Sequence, residues 1–393
     1  MKIVLANLTK MVDDTGGLAK VTSSFANEMY SRGHEVTVVY SDVQTGDFYY
    51  PVKKGIECFD IRHYKGQSIP YPWYLKIKRE FFRMFDKQKA RTVNNDFAET
   101  YLLKNLKEIV TTIGPEIIVS FQPAASKMLL LDLGLDIPVI TMSHGDPEDY
   151  FQFYPEKEIP ALEKSAVNQV LLPSFATHIT NHLPNAKTIV IGNAVPQSDT
   201  TVNLLREKET YTILFVGRLS KNHKRPHLLI EAFGKIAGEY PQWNVELWGA
   251  EDGKAYYQQL KEKIRSMGLE NRIALKGATK KVTEQLLRGD IFVMPSAYEG
   301  FGLSMAEAMS VGLPVIGYKN TPAVNELIID GKNGFLCDEG TDDLADKLKL
   351  LMDNKELRSQ LGTQAKVDME RFAPEIIWNQ WEELLYSLTK DQR

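Results

Sequence analysis

The sequence is poor in every feature that would set it apart from ordinary soluble proteins. It has 2 cysteines in 393 residues, Cys58 and Cys337, far apart in the chain. That excludes a disulfide framework and any cysteine-based metal spacing, and it fits a reducing compartment. No stretch approaches the roughly 18 apolar residues of a membrane-spanning helix. The opening run, residues 1–6, is too short for the apolar core of a secretory signal and reads as a first strand. The expectation is a cytoplasmic chain. The formal net charge of -4 provides no basic field for nucleic acid. No G-x-G-x-x-G follows the first apolar run, which counts against a dinucleotide-dependent dehydrogenase. Repeats and low-complexity tracts are also missing.

What is present is an alternation. Short apolar runs at 2–5, 35–40, 117–121, 138–142, 169–172 and 188–191 are separated by amphipathic stretches such as 17–32 and 96–113. This is the pattern of βαβ units and a parallel sheet. It weakens over the polar, linker-like residues 196–208 and restarts with strands expected at 212–216, 244–248, 273–276, 291–294 and 314–316. Helices are expected at 227–240, 255–267, 303–310 and 341–352. A chain of this length exceeds the roughly 250–300 residues at which single cores stop growing, so two α/β domains are expected. Their boundaries are placed at 1–200 and 201–370, with a Trp- and Leu-rich C-terminal helix in 371–393 that packs back toward the N-terminal domain.

The chemistry concentrates after the run 291–294. Glu299 and Glu307 flank a turn containing Gly300, Phe301, Gly302 and Leu303. Ligands of parallel sheets bind at the carboxyl ends of the strands. Glycine there permits close backbone approach, and a following helix N-terminus supplies unpaired N–H groups suited to phosphate. Carboxylates beside a phosphate make sense as acceptors for sugar hydroxyls. The residues alone therefore point to a ligand that carries both sugar and diphosphate.

Residues 299–316, E-G-F-G-L-S-M-A-E-A-M-S-V-G-L-P-V-I, closely resemble the E-x7-E signature of retaining GT-B glycosyltransferases of the GT4 type. The resemblance implies two Rossmann-like, doubly wound parallel-sheet domains facing across a cleft. It implies that Glu299 contacts the hydroxyls of a donor sugar and Glu307 the ribose of its nucleotide, with the backbone of 300–303 on sugar and phosphate. Residues 214–220, L-F-V-G-R-L-S, resemble the family's first strand of the second domain, which assigns Arg218 and Lys224 to the diphosphate. Their spacing is one longer than the family's usual five, so Lys221 or Arg225 could share that role. Gly16 and Gly17, after the first strand, match the loop that packs against the donor phosphates. His144, after the run 138–142, matches the family's active-site histidine, and Thr279 lies in the turn that reads the nucleobase. The family's Gly-Gly before the element at 325–336 is replaced by Asn320-Thr321-Pro322.

The activity implied is retaining transfer of a sugar from a nucleotide-sugar, UDP-sugar favoured, to a glycan, lipid-linked or protein acceptor in cell-surface polysaccharide or glycoconjugate assembly. No Asp-x-Asp occurs, which fits a metal-independent reaction without a separate cofactor. A GT-B sugar-nucleotide epimerase and a non-catalytic partner subunit are the alternatives. Residues 71–91 carry seven basic and two acidic residues, with Tyr74, Ile77, Phe81, Phe82 and Phe85 on one helical face. They read either as a helix lying on an anionic membrane surface, such as the inner face of the cell membrane, or as a covering helix with a solvated basic side.

Overall fold

The computed structural model describes residues 1–390. Contacts divide the chain into two units, one of residues 1–192 with the segment from Trp378 onward, the other Asn193–Ile377. The first unit carries β1 (Lys2–Asn7), β2 (Glu35–Tyr40), β3 (Glu57–Asp60), β4 (Ile117–Ser120), β5 (Val139–Met142), β6 (Val167–Val170) and β7 (Thr188–Val190). They form a 7-stranded sheet in the order β3-β2-β1-β4-β5-β6-β7. The second unit carries β8 (Tyr211–Val216), β9 (Trp243–Trp248), β10 (Ile273–Gly277), β11 (Ile291–Met294), β12 (Val315–Tyr318) and β13 (Gly334–Cys337), in the order β10-β9-β8-β11-β12-β13. All of these strands pair in parallel. The central strands β4, β5, β11 and β12 are buried along their whole length. A parallel sheet covered by helices on both faces demands such unbroken apolar runs.

The strand order reverses direction between β1 and β4, and again between β8 and β11. At such a point the connections leave to opposite sides and open a crevice at the carboxyl ends of the strands.

Three departures from the sequence expectations have a local physical reason. The strand expected at 169–172 lies at Val167–Val170, and the pairing takes in Asn168 and Gln169. Both are fully buried, with amide groups donating to Leu162 O (2.8 Å) and Ile191 O (2.5 Å), so polarity does not mark a strand end here. The helix expected at 96–113 is two α segments, Lys87–Phe97 and Leu103–Ile113, joined by a π turn at Ala98–Leu102. Phe97 and Leu102 are both buried. Five positions apart, they would lie about 140° from each other on a regular helix, and the wider turn returns both to the core. The polar stretch 196–208 is not a free linker. Pro196 O accepts from Ser310 Oγ (2.9 Å), Val202 N donates to Val311 O (3.0 Å), and Lys366 Nζ reaches Ser198 O (3.0 Å). Its polarity reflects a path over the surface of the second unit.

The C-terminal helix, Pro374–Lys390, sets Trp378 and Trp381 edge-on to Phe25, with ring centroids at 5.6 and 4.8 Å. Beside them Glu382 accepts from Arg32 (2.9 Å) and pairs with His34 (3.0 Å). Trp381 is 2% exposed and Phe25 is fully buried. Trp381→Ala is expected to destabilise the first unit by about 3–5 kcal/mol. Calorimetry reads this as a drop of several degrees in that unit's transition, and an unmoved transition would show that the helix return adds no stability.

Candidate functional site

In the second unit the chain leaves β8 through Gly217. The Gly217 N–H donates to Trp248 O (2.9 Å) and the Leu219 N–H to Ala250 O (2.9 Å). A methyl group on Gly249 would sit 1.8 Å from Gly217 O, so only glycine lets the two strand exits run this close. Ser220 Oγ then accepts from the Lys224 N–H (3.0 Å), folding the loop back over the end of β8. Arg225 is left-handed at φ 49° and is held there by its own guanidinium, which donates to Pro295 O (2.9 Å) and Ser296 O (3.0 Å) and pairs with Glu339. Arg225 therefore staples the β8 and β11 exits together, and three of its five N–H donors are engaged in doing so. Among the other cations after β8, Lys221 is exposed, and Lys224 and Arg218 border the crevice. Arg218 is exposed, with Asp252 at 3.9 Å, and Lys224 is largely covered.

Beyond β11 the turn 299–302 joins the same crevice. Lys224 Nζ meets Glu299 Oε1 at 2.6 Å. Glu299 is 5% exposed and Glu307 is 7% exposed, so these are not surface carboxylates. Gly302 adopts φ 75° and its carbonyl accepts from the N–H groups of Met305 (2.9 Å) and Ala306 (3.0 Å), which starts the helix Leu303–Ser310. Ser304 Oγ clamps this helix to Val216 O (2.8 Å) at the end of β8. The helix has no side-chain cap and no acidic residue in its first turn. Its leading N–H groups and positive dipole end are open to an anion. The Phe301 ring turns away and packs edge-on to Phe372 at 5.1 Å, so only its backbone can serve a ligand beside Gly300.

Two further expected positions are settled locally. Thr279 Oγ accepts from the Lys281 N–H (3.0 Å), so its hydroxyl closes the turn after β10. In the segment replacing Gly-Gly, Thr321 Oγ donates to Ser296 O (2.7 Å) and Ala323 takes φ 67°, a conformation glycine adopts without strain.

In the first unit, Gly16 is the extended residue that opens the helix Gly17–Ser31, and its N–H donates to Asp14 Oδ1 (3.1 Å). Asp42 holds the preceding loop by accepting from the N–H groups of Met11 (2.8 Å) and Val12 (2.9 Å). Nothing lies within 4 Å of where a Gly17 side chain would start. His144 follows β5 and stacks on Phe121 after β4, at 5.3 Å and 10°. Its Nε2 is out of solvent and has no hydrogen-bond partner among the described residues. Burial pushes its pKa from 6.5 down to about 4. A neutral imidazole with an unmatched nitrogen is equipped to hydrogen-bond a ligand. Ser304, Ser220 and Asp42, which hold the site loops, escaped the sequence reading because a serine or aspartate that bonds backbone carries no motif.

Residues 196–368, less than half of the chain, match the family model described as "Glycosyl transferases group 1". An uncharacterized glycosyltransferase of Haemophilus influenzae is 23% identical over 385 residues, covering 95% of this chain and 97% of its own length. The amylovoran biosynthesis glycosyltransferase AmsD of Erwinia amylovora is 22% identical over 384 residues, with 95% and 97% covered. The Anabaena protein HepE, solved with UDP and glucose, superposes with a TM-score of 0.72 at 19% identity, covering 98% of this chain and 100% of its own. Two all-parallel α/β units and likeness of this extent make the fold GT-B.

Two measurements test the geometry. Lys224→Met strands the buried Glu299 carboxylate and is expected to cost the second unit about 2 kcal/mol in urea unfolding. Adding Glu299→Gln should restore most of it, whereas additive losses would mean the two groups act separately. For His144, the folded value near 4 lies below the unfolded 6.5, so its contribution to stability is present above about pH 6.5 and is lost as the pH falls toward 4. NMR of histidine-labelled protein should show the His144 ring unchanged from pH 8 to 5, and a midpoint near 6.5 would contradict its burial.

Proposed function

We propose that this protein is a retaining, GT4-type glycosyltransferase that moves a sugar from a nucleotide-diphosphate donor, UDP-sugar favoured, to an acceptor hydroxyl. The observation that carries the reading is the convergence of Lys224, Glu299 and an uncapped helix N-terminus at the β8/β11 crevice, with Glu307 on that same helix. An ammonium group has three protons. One serves Glu299, and the others can face a diphosphate together with Arg218 and the helix N–H groups. These positive groups stabilise the leaving diphosphate, which is the role a divalent metal plays in other enzymes. Glu299, fixed by Lys224, accepts from sugar hydroxyls, and Glu307 accepts from the ribose. Gly16 and Gly17 leave the start of their helix open to the donor phosphates. Neutral His144 hydrogen-bonds the donor sugar and orients it.

The bond from the anomeric carbon to the diphosphate oxygen breaks as the bond to the acceptor oxygen forms on the same face. The acceptor's proton passes to the departing phosphate oxygen, so no protein nucleophile is required. Support for this reading comes from the glycosyltransferase family match and from the named activities of the relatives. The names of AmsD, an amylovoran biosynthesis glycosyltransferase, and of an exopolysaccharide phosphotransferase of Streptomyces coelicolor support a role in polysaccharide biosynthesis.

No helix among the described residues is long and apolar enough to cross a membrane. The helix Trp73–Phe85, however, buries none of its residues, and Trp73, Ile77, Phe81 and Phe85 are 57–77% exposed. With Lys76, Lys78 and Arg83 on the same helix, this composition suits the surface of an anionic membrane, where the enzyme would meet a lipid-linked acceptor.

The test is nucleotide release from a panel of UDP-, GDP- and ADP-sugars in the presence of EDTA. Release from one donor is expected, and Glu307→Ala should lower it by about 10²–10³-fold. Release that Glu307→Ala leaves unchanged, or no release from any donor, would reject the proposed site.

A further inference from the structure

The first unit holds a cavity of about 970 Å³ that the sequence did not disclose. It opens at the carboxyl ends of β1, β2 and β4, where Leu8, Ser41 and Gln122 line it. Its titratable lining is one-sided, comprising Lys10, Arg62, His63, Lys76 and Arg79 against the single carboxylate Glu99. Glu99 is already matched, with Lys127 at 3.0 Å and Lys157 at 2.7 Å. Asp60, the carboxylate behind Arg62, accepts from His63 Nδ1 (2.8 Å) and from the backbone N–H groups of Arg62 (2.8 Å) and Asp42 (3.2 Å).

Arg62 is the least compensated member. Its guanidinium lies 4.8 Å over the Phe97 ring and Nε donates to Ser41 Oγ (3.2 Å), with no ion pair among the described residues. Lys76 likewise has none, while Arg79 pairs with its neighbour Glu80 (2.7 Å) and Lys10 with Asp14 (3.5 Å). Burial pulls the Arg62 pKa down, and the nearby charges of Asp60 and Asp42 offset only part of that. A partly buried guanidinium aimed into a cavity is costly until an anion arrives. The volume suits a small molecule or headgroup and not a macromolecular surface.

We propose that this cavity binds a phosphate-bearing sugar, the anionic end of the acceptor, with Arg62 and Lys76 as its principal ligands. The inference rests on the glycosyl-transfer reading and specifies the acceptor's chemical class. Such a phosphate could belong to a free sugar phosphate or to a lipid-linked one. The helix that supplies Lys76 and Arg79 to the cavity also exposes Trp73, Ile77 and Phe81, which places a cavity wall and an apolar face on one element.

Calorimetric titration tests this with glucose 1-phosphate, methyl glucoside and a dodecyl glucosyl phosphate, in saturating UDP so that the nucleotide crevice is filled. Glucose 1-phosphate is expected to bind at least about tenfold more tightly than methyl glucoside, the scale of one charge-assisted hydrogen bond. Lys76→Glu, at an exposed position that leaves folding intact, and Arg62→Gln should each remove that preference. Further tightening by the dodecyl chain would identify a lipid-borne source, and equal affinity a soluble one; both support the anion site. Equal binding of the phosphorylated and neutral sugars, a preference that survives both substitutions, or no binding of either sugar would overturn it. Loss of donor turnover with this preference intact would count against the transferase reading alone.

Discussion

The ion pair between Lys224 and Glu299 joins the two loops that leave the second sheet on either side of its reversal point. One partner follows β8 and the other follows β11, and the 2.6 Å contact fixes both exits relative to the helix Leu303–Ser310. Burying two charges costs desolvation that their attraction only partly offsets. The pair is kept, on this reading, because it orients groups for a ligand. The Ser304 clamp to Val216 O and the Arg225 staple to Pro295 O and Ser296 O do the same with neutral acceptors. Together they hold the loops rigid without a ligand, so positive charge and open N–H groups already face the crevice. Catalysis by preorganised dipoles depends on that arrangement, because reorganisation during reaction would cost what the dipoles supply.

Much of the second unit was legible in the sequence because its signals are local. β11 and the helix Leu303–Ser310 lie where the apolar run 291–294 and the small-residue stretch 303–310 place them. Two glycines and two glutamates around such a turn have few physical explanations. Other features were illegible because they depend on long-range partners. Arg225 reads like Lys224 in the sequence, and only the carbonyls of Pro295 and Ser296 reveal it as structural. The side-chain contacts of Thr279 and Phe301, with the Lys281 N–H and the Phe372 ring, were equally unreadable. β3 and β13 went unread because each is four residues long and includes exposed or half-exposed positions. The cavity in the first unit was invisible for the same reason, since its lining runs from Leu8 to Met128 without any shared motif.

The two units use one topology for different ends. Both place loops at a strand-order reversal, but the second fills that crevice with backbone N–H groups, paired charge and a short helix. The first leaves a large, positively lined space beneath a helix that buries nothing. The contrast suits a division of labour in which one partner is chemically constant and the other variable. A diphosphate and a ribose look the same in every nucleotide-sugar, so short local elements suffice to bind them. On the proposed reading an acceptor differs from enzyme to enzyme, and its recognition would fall to side chains on long segments such as residues 57–102.

His144 belongs to neither pattern. Its ring is held by stacking on Phe121 and not by a hydrogen bond, and its Nε2 has no partner among the described residues. A buried polar atom left unmatched costs of the order of 1–3 kcal/mol. If the histidine were only structural, replacement by an apolar residue of similar volume would recover that cost. On the proposed reading, a ligand hydroxyl completes the bond and offsets that cost. The same burial that raises the cost also keeps the imidazole neutral, so that Nε2 can accept or donate as its tautomer dictates. On the proposed reading, a protonated ring beside a centre that develops positive charge would be repelled by it, so low polarity around His144 would suit transfer chemistry as much as packing.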